Sequence, residues 1–523
     1  MKRLFLFLSF LGGFVVMVIE IAGVIIVTPS YGTTLYAWAI VLSITLLALS
    51  SGYYLGGILS KNKFKIHPVT IIFFVGIMIT SIPFISETIL YLSLKLSYIP
   101  GLVGALLIFI FPTMLLLGTL SPILINELDS YLDNPGYTSG KIFAISTLGG
   151  ILGSLLFVFY FLPTVGITRT IFMLGIFLIL VAICFFIIVR KKYFLLLGLL
   201  LMIPVIMNVI EATKTDSYIK VLYNSDGVQG QVKVVETHFK NASGKIQRLR
   251  LLLVNNTIQG SINPDDLSKS FLQYVSLLNP VLRSQYKGGD VLILGLGAGL
   301  VCNAFQEYEY SNIDAVEIDA RIEEVARKFF YLERDINIII DDARHFISTS
   351  DKRYEIIIID TFCGESIPGH MLTIEALQQI KRLLELNGLV VINFHGYLHG
   401  QNGYGARSVL KTLSEVGFET IVCATDREDG IKRSLLFFSA AVLPKDLIEV
   451  IVPKTTNIGE TDSTILKDFN IPINTIDLAQ AEILTDEFQN LNIILLDIEL
   501  EWRRFTRETL LAQFKKAKIS LIN

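Results

Sequence analysis

The stretch VLILGLGAGL (291–300) decides how the second half of this chain is read. Val291 to Leu294 are four apolar residues that stop at glycine, which is the pattern of a strand buried on both faces. Gly295, Gly297 and Gly299 then make a tight turn whose backbone can approach a ligand closely, and VCNAFQEY (301–308) opens a helix. Outward from this turn the pattern repeats. IDAVEID (313–319) is a strand ending in two carboxylates, and residues 320–330 form a charged helix. INIIIDDARHF (336–346) is a third strand ending in acids, and YEIIIIDTF (354–362) a fourth with Asp360 at its tip. A helix over 372–386 leads to LVVINFHG (389–396), a fifth strand. Strands alternating with helices predict a largely parallel, doubly wound, Rossmann-like sheet.

In such sheets ligands bind outside the carboxyl ends of the strands. Four successive strand ends here carry the glycine turn, Glu317, Asp342 and Asp360. Glu317, 22 residues after Gly295, suits ribose hydroxyls, so a nucleoside-containing ligand is expected. A turn of the form G-x-G-x-G, without the later glycine or alanine of the dinucleotide fingerprint, points to an S-adenosyl compound. The pair Asp341–Asp342 adds an acceptor for an adenine amino group. The plainer reading is that strand-end acids cap the helices that follow them.

Before this sheet the chain has a different character. The 523 residues are 52% hydrophobic and 17% charged, with a mean hydropathy of +0.59. Residues 1–210 hold 11 Lys+Arg against 5 Asp+Glu, a net of +6. That leaves 33 of the 44 basic and 42 of the 47 acidic residues for positions 211–523, a net of −9. An acidic second half argues against nucleic acid as a partner. The first half holds seven apolar runs long enough to cross a bilayer, near 4–28, 34–59, 68–85, 101–125, 142–163, 168–189 and 193–210. Lys2 and Arg3 precede the first, but it is longer than a signal-peptide core and no small-residue cleavage site follows. Gly52 with Gly56, and Gly149 with Gly153, stand four apart and mark candidate helix contacts. Pro112, Pro122 and Pro163 are expected to kink or end helices. Glu20 is the one acid well inside an apolar run, so it has either a structural hydrogen bond or a task.

Four domains are expected: transmembrane helices over 1–210, a small β-hairpin domain over 217–265, the Rossmann-like domain over 266–445, and a C-terminal extension over 446–523. No metal site is expected, because His395 and His399 lie in a glycine-rich stretch with too few ligands nearby. Four cysteines without a CxxC pairing fit reduced thiols in a cytosolic domain.

The order of these motifs resembles the spermidine synthase (polyamine aminopropyltransferase) family. It is carried by NNTIQG (255–260), VLILGLGAGL, AVEID, DDARHF, IIIIDTFCGESIPGHMLTIEAL and ILTDE (483–487). FLGGFVVMVIEIAG, LSSGYYLGG, FPTMLLLGTLSP and ISTLGGILGSLL resemble the branch fused to a multi-helix membrane domain. The resemblance implies that Gln259, Gly295, Gly297 and Gly299 contact decarboxylated S-adenosylmethionine. Glu317 would hold its ribose, Asp342 with Ala343 its adenine, and Asp360 would be the catalytic carboxylate. The acceptor would be a polyamine or other small amine, and a homodimer is left open. The chain departs from the family in three places. Asp360-Thr361-Phe362-Cys363 lacks the second acid of Asp-Ser-Ser-Asp, Ala298 replaces an acid in the glycine turn, and Phe271-Leu272-Gln273-Tyr274 replaces Tyr-His/Gln-Glu. Glu365 is a candidate substitute.

Two other functions are open: a methyltransferase using S-adenosylmethionine on the same fold, and a membrane transporter or sensor with a nucleoside-binding domain. The expected location is the plasma membrane, with the soluble half in the cytoplasm. Seven crossings conflict with that. They place Lys2, Arg3, Lys61, Lys63, Lys65, Lys141, Arg190, Lys191 and Lys192 on one side and only Lys95 and Arg169 on the other, which puts the soluble half outside. One segment, 193–210 or 68–85, is therefore expected to be re-entrant or interfacial.

Overall fold

The computed structural model describes residues 2–188 apart from 33, 62–66 and 133. It also describes residues 219–504 apart from 228, 241–245, 271–273, 276, 279–280, 282–286, 306–311, 333–334, 363–366, 425–433, 445–446, 448–469, 472–475, 488–490 and 497. Two compact units make up these residues, one built on the N-terminal helices and one on the strands and helices that follow. The expected seventh apolar segment, Cys363, Glu365, Phe271 to Gln273 and most of the C-terminal extension lie outside the described residues.

The described residues from 2 to 188 are helical apart from short connections. The elements are α1 (Lys2–Tyr31), α2 (Leu35–Lys61), α3 (Pro68–Ser93), α4 (Tyr98–Phe109), α5 (Phe111–Leu132) and α6 (Pro135–Leu156), then α7 (Leu162–Val165) and α8 (Ile167–Ile188). A π-helical turn, Phe157–Phe161, joins α6 to α7. Among the described residues six helices are long and apolar enough to cross a membrane. The 68–85 segment, expected to be a weak span, is part of a helix of 26 residues. The 101–125 segment is broken instead, into α4 and α5 at Ile110. Pro112 explains the break, because it has no N–H for the Ile108 carbonyl and its ring crowds the preceding turn. Pro163 likewise has no N–H for the Phe159 carbonyl, and the chain widens there into the π turn.

Missing side chains set the helix pairs. A Cβ on Gly52 or Gly56 of α2 would collide with backbone of α5 at Leu115, Gly118 and Thr119. A Cβ on Gly149 or Gly153 of α6 would collide with the carbonyls of Phe10 and Phe14 in α1. Gly76 and Gly175 bring α3 and α8 together in the same way. Backbones this close gain extra dispersion contact. These pairings also give direction: α1 runs parallel to α6 and α2 parallel to α5, whereas α3 and α8 are antiparallel.

After the helices comes a five-stranded antiparallel sheet, β1 (Ile219–Gly227), β2 (Gly230–Lys240), β3 (Ile246–Val254), β4 (Thr257–Asn263) and β5 (Asp266–Ser270), in sequence order. Asn255 and Asn256 both have positive φ, 50° and 62°. That makes the β3–β4 connection a two-residue turn whose twist suits a hairpin. The larger sheet uses β6 (Val291–Leu294), β7 (Ile313–Glu317), β8 (Asn337–Ile340), β9 (Tyr354–Ile359), β10 (Leu384–His395), β11 (Glu419–Ala424), β12 (Ser434–Ala440) and β13 (Asn470–Ile471). Its order is β13-β11-β12-β10-β9-β6-β7-β8. The five strands from β10 to β8 are parallel, as the alternating sequence pattern predicts. β12 and β11 add an antiparallel edge, so the sheet is mixed. Its helices are α9 (Leu300–Ala304), α10 (Ala320–Phe329), α11 (Ala343–Thr349), α12 (Ile374–Leu383), α13 (Tyr404–Glu415) and α14 (Leu491–Ile494). One face of the large sheet shares a core with the small one: Val232, Val234, Leu252 and Ile262 pack in one cluster with Val291, Ile293, Ile356 and Val391.

The glycine contacts make a direct prediction. Gly149→Val destabilises the full chain by about 1–3 kcal/mol through overpacking against α1. Gly57→Ala, where an added Cβ meets nothing within 4 Å, is neutral or slightly stabilising. Thermal unfolding of the two variants in detergent measures the difference.

Candidate active site

The chain leaves β6 for β7 and β8 on one side, then crosses to β9 and β10 on the other. The crevice between β6 and β9 is therefore the point where strand order reverses. Two loops meet there. The Asp360 N–H donates to the Leu294 carbonyl at 2.8 Å, and the space a Gly295 side chain would fill is taken by the Asp360 backbone. Gly295 has φ 97°, Gly297 φ 53° and Gly299 φ 74°, all left-handed values that favour glycine.

Glu317 ends β7 and turns back over this glycine turn. It accepts from the Leu296 N–H at 3.1 Å and the Asp319 N–H at 3.0 Å. Burial raises its pKa, and these two hydrogen bonds oppose the rise. Gln259 approaches from β4. Leu253 pairs with Ile258 and Leu252 with Gly260, so Gln259 is the extra residue of a β-bulge, a device that re-aims a side chain. Its carbonyl oxygen lies 3.4 Å from the Cβ position of Gly297, and Gly260 packs on Ala298. Ala298, where the family has an acid, is buried under β4.

Asp342 caps α11: its Oδ1 accepts from the N–H groups of Arg344 at 2.9 Å and His345 at 3.0 Å. The plainer reading of strand-end acids is thus realised at this residue, and both bonds use one oxygen. Ala343 begins the helix beside it and is half-buried. The ILTDE motif holds this helix in place. Asp486 pairs with Arg344 at 2.7 Å and accepts from the Thr373 hydroxyl at 2.7 Å.

Asp360 follows β9. Tyr274 donates its hydroxyl to Oδ2 at 2.9 Å, and Asn393 donates its amide to Oδ1 at 2.8 Å. Burial pushes the Asp360 carboxyl up to about 6, with the bonds from Asn393 and Tyr274 pulling down. Burial and then the Asp360 charge push the Tyr274 phenol well above its usual 10, so it stays a donor. The Asn393 side-chain oxygen and the Thr361 hydroxyl are buried without a hydrogen-bond partner among the described residues, so a ligand polar group can satisfy them. His395, two residues beyond Asn393, lies 4.5 Å from the Phe362 ring and 5.2 Å from Trp502, centroid to centroid. Cys302 and Cys423 are buried, and burial pushes their thiols up to about 12, which favours the thiol over the reactive thiolate.

All of the expected site residues except Ala343 and Asp342 thus converge on the turn after β6 or the loop after β9, and those two begin the helix after β8. Sequence reasoning missed Asn393, Tyr274 as an Asp360 partner, and Trp502. Asn393 had a signal: it is the one polar residue in the buried run LVVIN.

Comparisons with known proteins follow this geometry. Residues 274–425 match the family described as the spermine/spermidine synthase domain, which bears out the resemblance over that stretch. A polyamine aminopropyltransferase of Vibrio vulnificus is 35% identical over 137 residues, covering 25% of this chain and 46% of that protein. The chain therefore spans less than half the length of that relative. Polyamine aminopropyltransferase 2 of Aquifex aeolicus is 22% identical over 436 residues, covering 78% of this chain and 82% of its own. That share is more than residues 218–523 supply, so the match extends into the N-terminal helices. A spermidine synthase structure from Thermotoga maritima aligns at 16% identity with a TM-score of 0.36, over 49% of this chain and 86% of its own.

The Asp360 hydrogen bonds predict their own removal. Tyr274→Phe and Asn393→Leu each take away a donor that stabilises the carboxylate, so each moves the Asp360 midpoint above about 6. Carbon-13 NMR titration of aspartate-labelled protein checks the direction.

Proposed function

We propose that this chain, which carries a match to the spermine/spermidine synthase domain over residues 274–425, is an aminopropyltransferase. It moves an aminopropyl group from decarboxylated S-adenosylmethionine to a polyamine or other small amine. The observation that carries the reading is the pairing, at one switch point, of a nucleoside-type cradle with a buried carboxylate whose pKa is about 6. Gln259, Gly295, Gly297, Gly299 and Glu317 would hold the donor's sugar and chain, and Asp342 with Ala343 its adenine. Glu317 offers carboxylate oxygens to ribose hydroxyls, and Gly297, where an added Cβ would meet only the Gln259 carbonyl at 3.4 Å, leaves the donor room.

Asp360 would act as general base. The acceptor amine reaches the protein as an ammonium ion and must lose a proton to attack. Asp360 takes that proton. The nitrogen forms a bond to the methylene next to the sulfonium, the carbon–sulfur bond breaks, and neutral 5′-methylthioadenosine leaves with the electron pair. Tyr274 and Asn393 hold the carboxylate in place through the step. The Asn393 oxygen and the Thr361 hydroxyl supply polar partners for the amine beside it.

Asp360→Asn should lower kcat for aminopropyl transfer by about 10²–10⁴-fold while donor binding persists. Glu317→Gln should weaken donor binding, by about tenfold or more, because a charged hydrogen-bond acceptor is lost. A base must be ionised, so activity should fall as pH drops through about 6. Radiolabel transfer and equilibrium binding at several pH values test all three. Unchanged transfer by Asp360→Asn would overturn the assignment.

The N-terminal helices would anchor the enzyme in the plasma membrane. Six crossings by the six described candidate spans would bring the chain back to the side of Lys2, Arg3, Lys61 and Lys141. By the bias of basic loops that side would be the cytoplasm, where S-adenosyl compounds are made. A reporter fused after Asn523 should report the cytoplasm, and an extracytoplasmic signal would contradict this arrangement.

A further inference from the structure

We propose that the N-terminal unit holds a binding site for a singly charged cation, an alkali-metal ion or a primary ammonium group, at the level of Glu20 and Thr45, where α4 gives way to α5. The inference rests on reading these helices as membrane spans, and it does not depend on the transferase chemistry.

Four features fall at one level. Gly23 of α1 marks it: a Cβ there would lie 3.2 Å from Ile110, the residue at the α4–α5 break, and 3.5 Å from Val41 of α2. Glu20 is three residues before Gly23, hence on the same face of α1 one turn away. Thr45 is four residues after Val41, on the same face of α2. The two helices form an antiparallel hairpin, so the turn before Gly23 and the turn after Val41 are neighbours. The α2–α5 pairing agrees: Leu49 packs on Gly118, and one turn earlier in each helix come Thr45 and Met114, in the first turn of α5. The α1–α6 pairing adds the fourth feature. Gly153 packs on Phe14, and six residues further along these parallel helices come Glu20 and Phe159, within the π turn Phe157–Phe161. Six residues are about 9 Å of rise in an α-helix, a little less where the path enters the π turn.

Thr45 is the telling residue. It is fully buried, and its hydroxyl has no hydrogen-bond partner among the described residues. Other hydroxyls of these helices bond a carbonyl of their own helix: Ser51 to Leu47, Thr28 to Val24, Thr80 to Gly76 and Thr119 to Leu116. An unmade bond in such a setting is costly. Nearby, the Ile108 carbonyl lacks its i+4 donor, because residue 112 is proline. The groups at this level are therefore a carboxylate, a hydroxyl and backbone carbonyls, all oxygens. Every described Lys and Arg of this unit lies within two turns of a helix end or between helices, so none is placed to neutralise Glu20. Acidic groups and broken helices at mid-membrane depth mark cation sites, and π turns recur at functional positions. A single carboxylate matches a single positive charge. Among the described residues no three His, Cys, Asp or Glu side chains are grouped to hold a metal ion, which disfavours a divalent ion here.

Dicyclohexylcarbodiimide, which labels protonated carboxyls in apolar surroundings, tests the site on the full chain in phosphatidylcholine vesicles. Mass spectrometry should find Glu20 labelled in N-methylglucamine buffer. Sodium, potassium or ethylammonium ions should protect it. Protection by sodium or potassium alone identifies a metal ion, and protection by ethylammonium identifies an amine. Thr45→Val, nearly the same shape, should raise the protecting concentration about tenfold. Labelling that none of the three cations diminishes would overturn the site, as would protection unchanged by Thr45→Val. Absence of labelling would overturn the apolar setting of Glu20 itself.

Discussion

Gly295 has no side chain, and the backbone of Asp360 occupies the place where one would stand. The ends of β6 and β9 can close on one another only because of this. The close approach puts the glycine turn, the Glu317 carboxylate and the Asp360 carboxylate around one crevice. With a Cβ at 295 the loop after β9 would have to move, taking Asp360 away from both Tyr274 and Asn393. The left-handed φ of Gly295, Gly297 and Gly299 is part of the same constraint, since the turn must bend sharply enough for Leu296 to donate to Glu317.

The parallel part of the sheet was legible because its signals are local. Four-residue apolar runs ending in glycine or acid report buried strands and their tips within a few residues. The partners of Asp360 were not legible. Tyr274 and Asn393 lie 86 and 33 residues away in sequence, and nothing short of the folded sheet brings them together. Asp342 shows the opposite limit: capping and ligand binding use the same residue type at the same place, and its two bonds through Oδ1 leave both roles in play. The antiparallel edge of β11 and β12 escaped because a short apolar strand reads alike in either direction.

In the helical unit the hydrophobic pattern carries little information, since all faces are apolar and only length can be read. Small residues and prolines were more telling. The spaced glycines pointed to real contacts, and Pro112 to the break that separates α4 from α5. What they could not give is which helix each glycine meets, or that Glu20, Thr45 and Ile110 share one level. The match to the Aquifex aeolicus relative runs into these helices as well as the α/β unit.

Product analysis on the purified full-length chain tests the central claim most directly. The protein is supplied with decarboxylated S-adenosylmethionine and S-adenosylmethionine together, plus a mixture of small amines, and the products are identified by mass. An amine heavier by one aminopropyl group, with 5′-methylthioadenosine beside it, is the predicted result. A methylated product with S-adenosylhomocysteine, or neither donor consumed, would contradict the account.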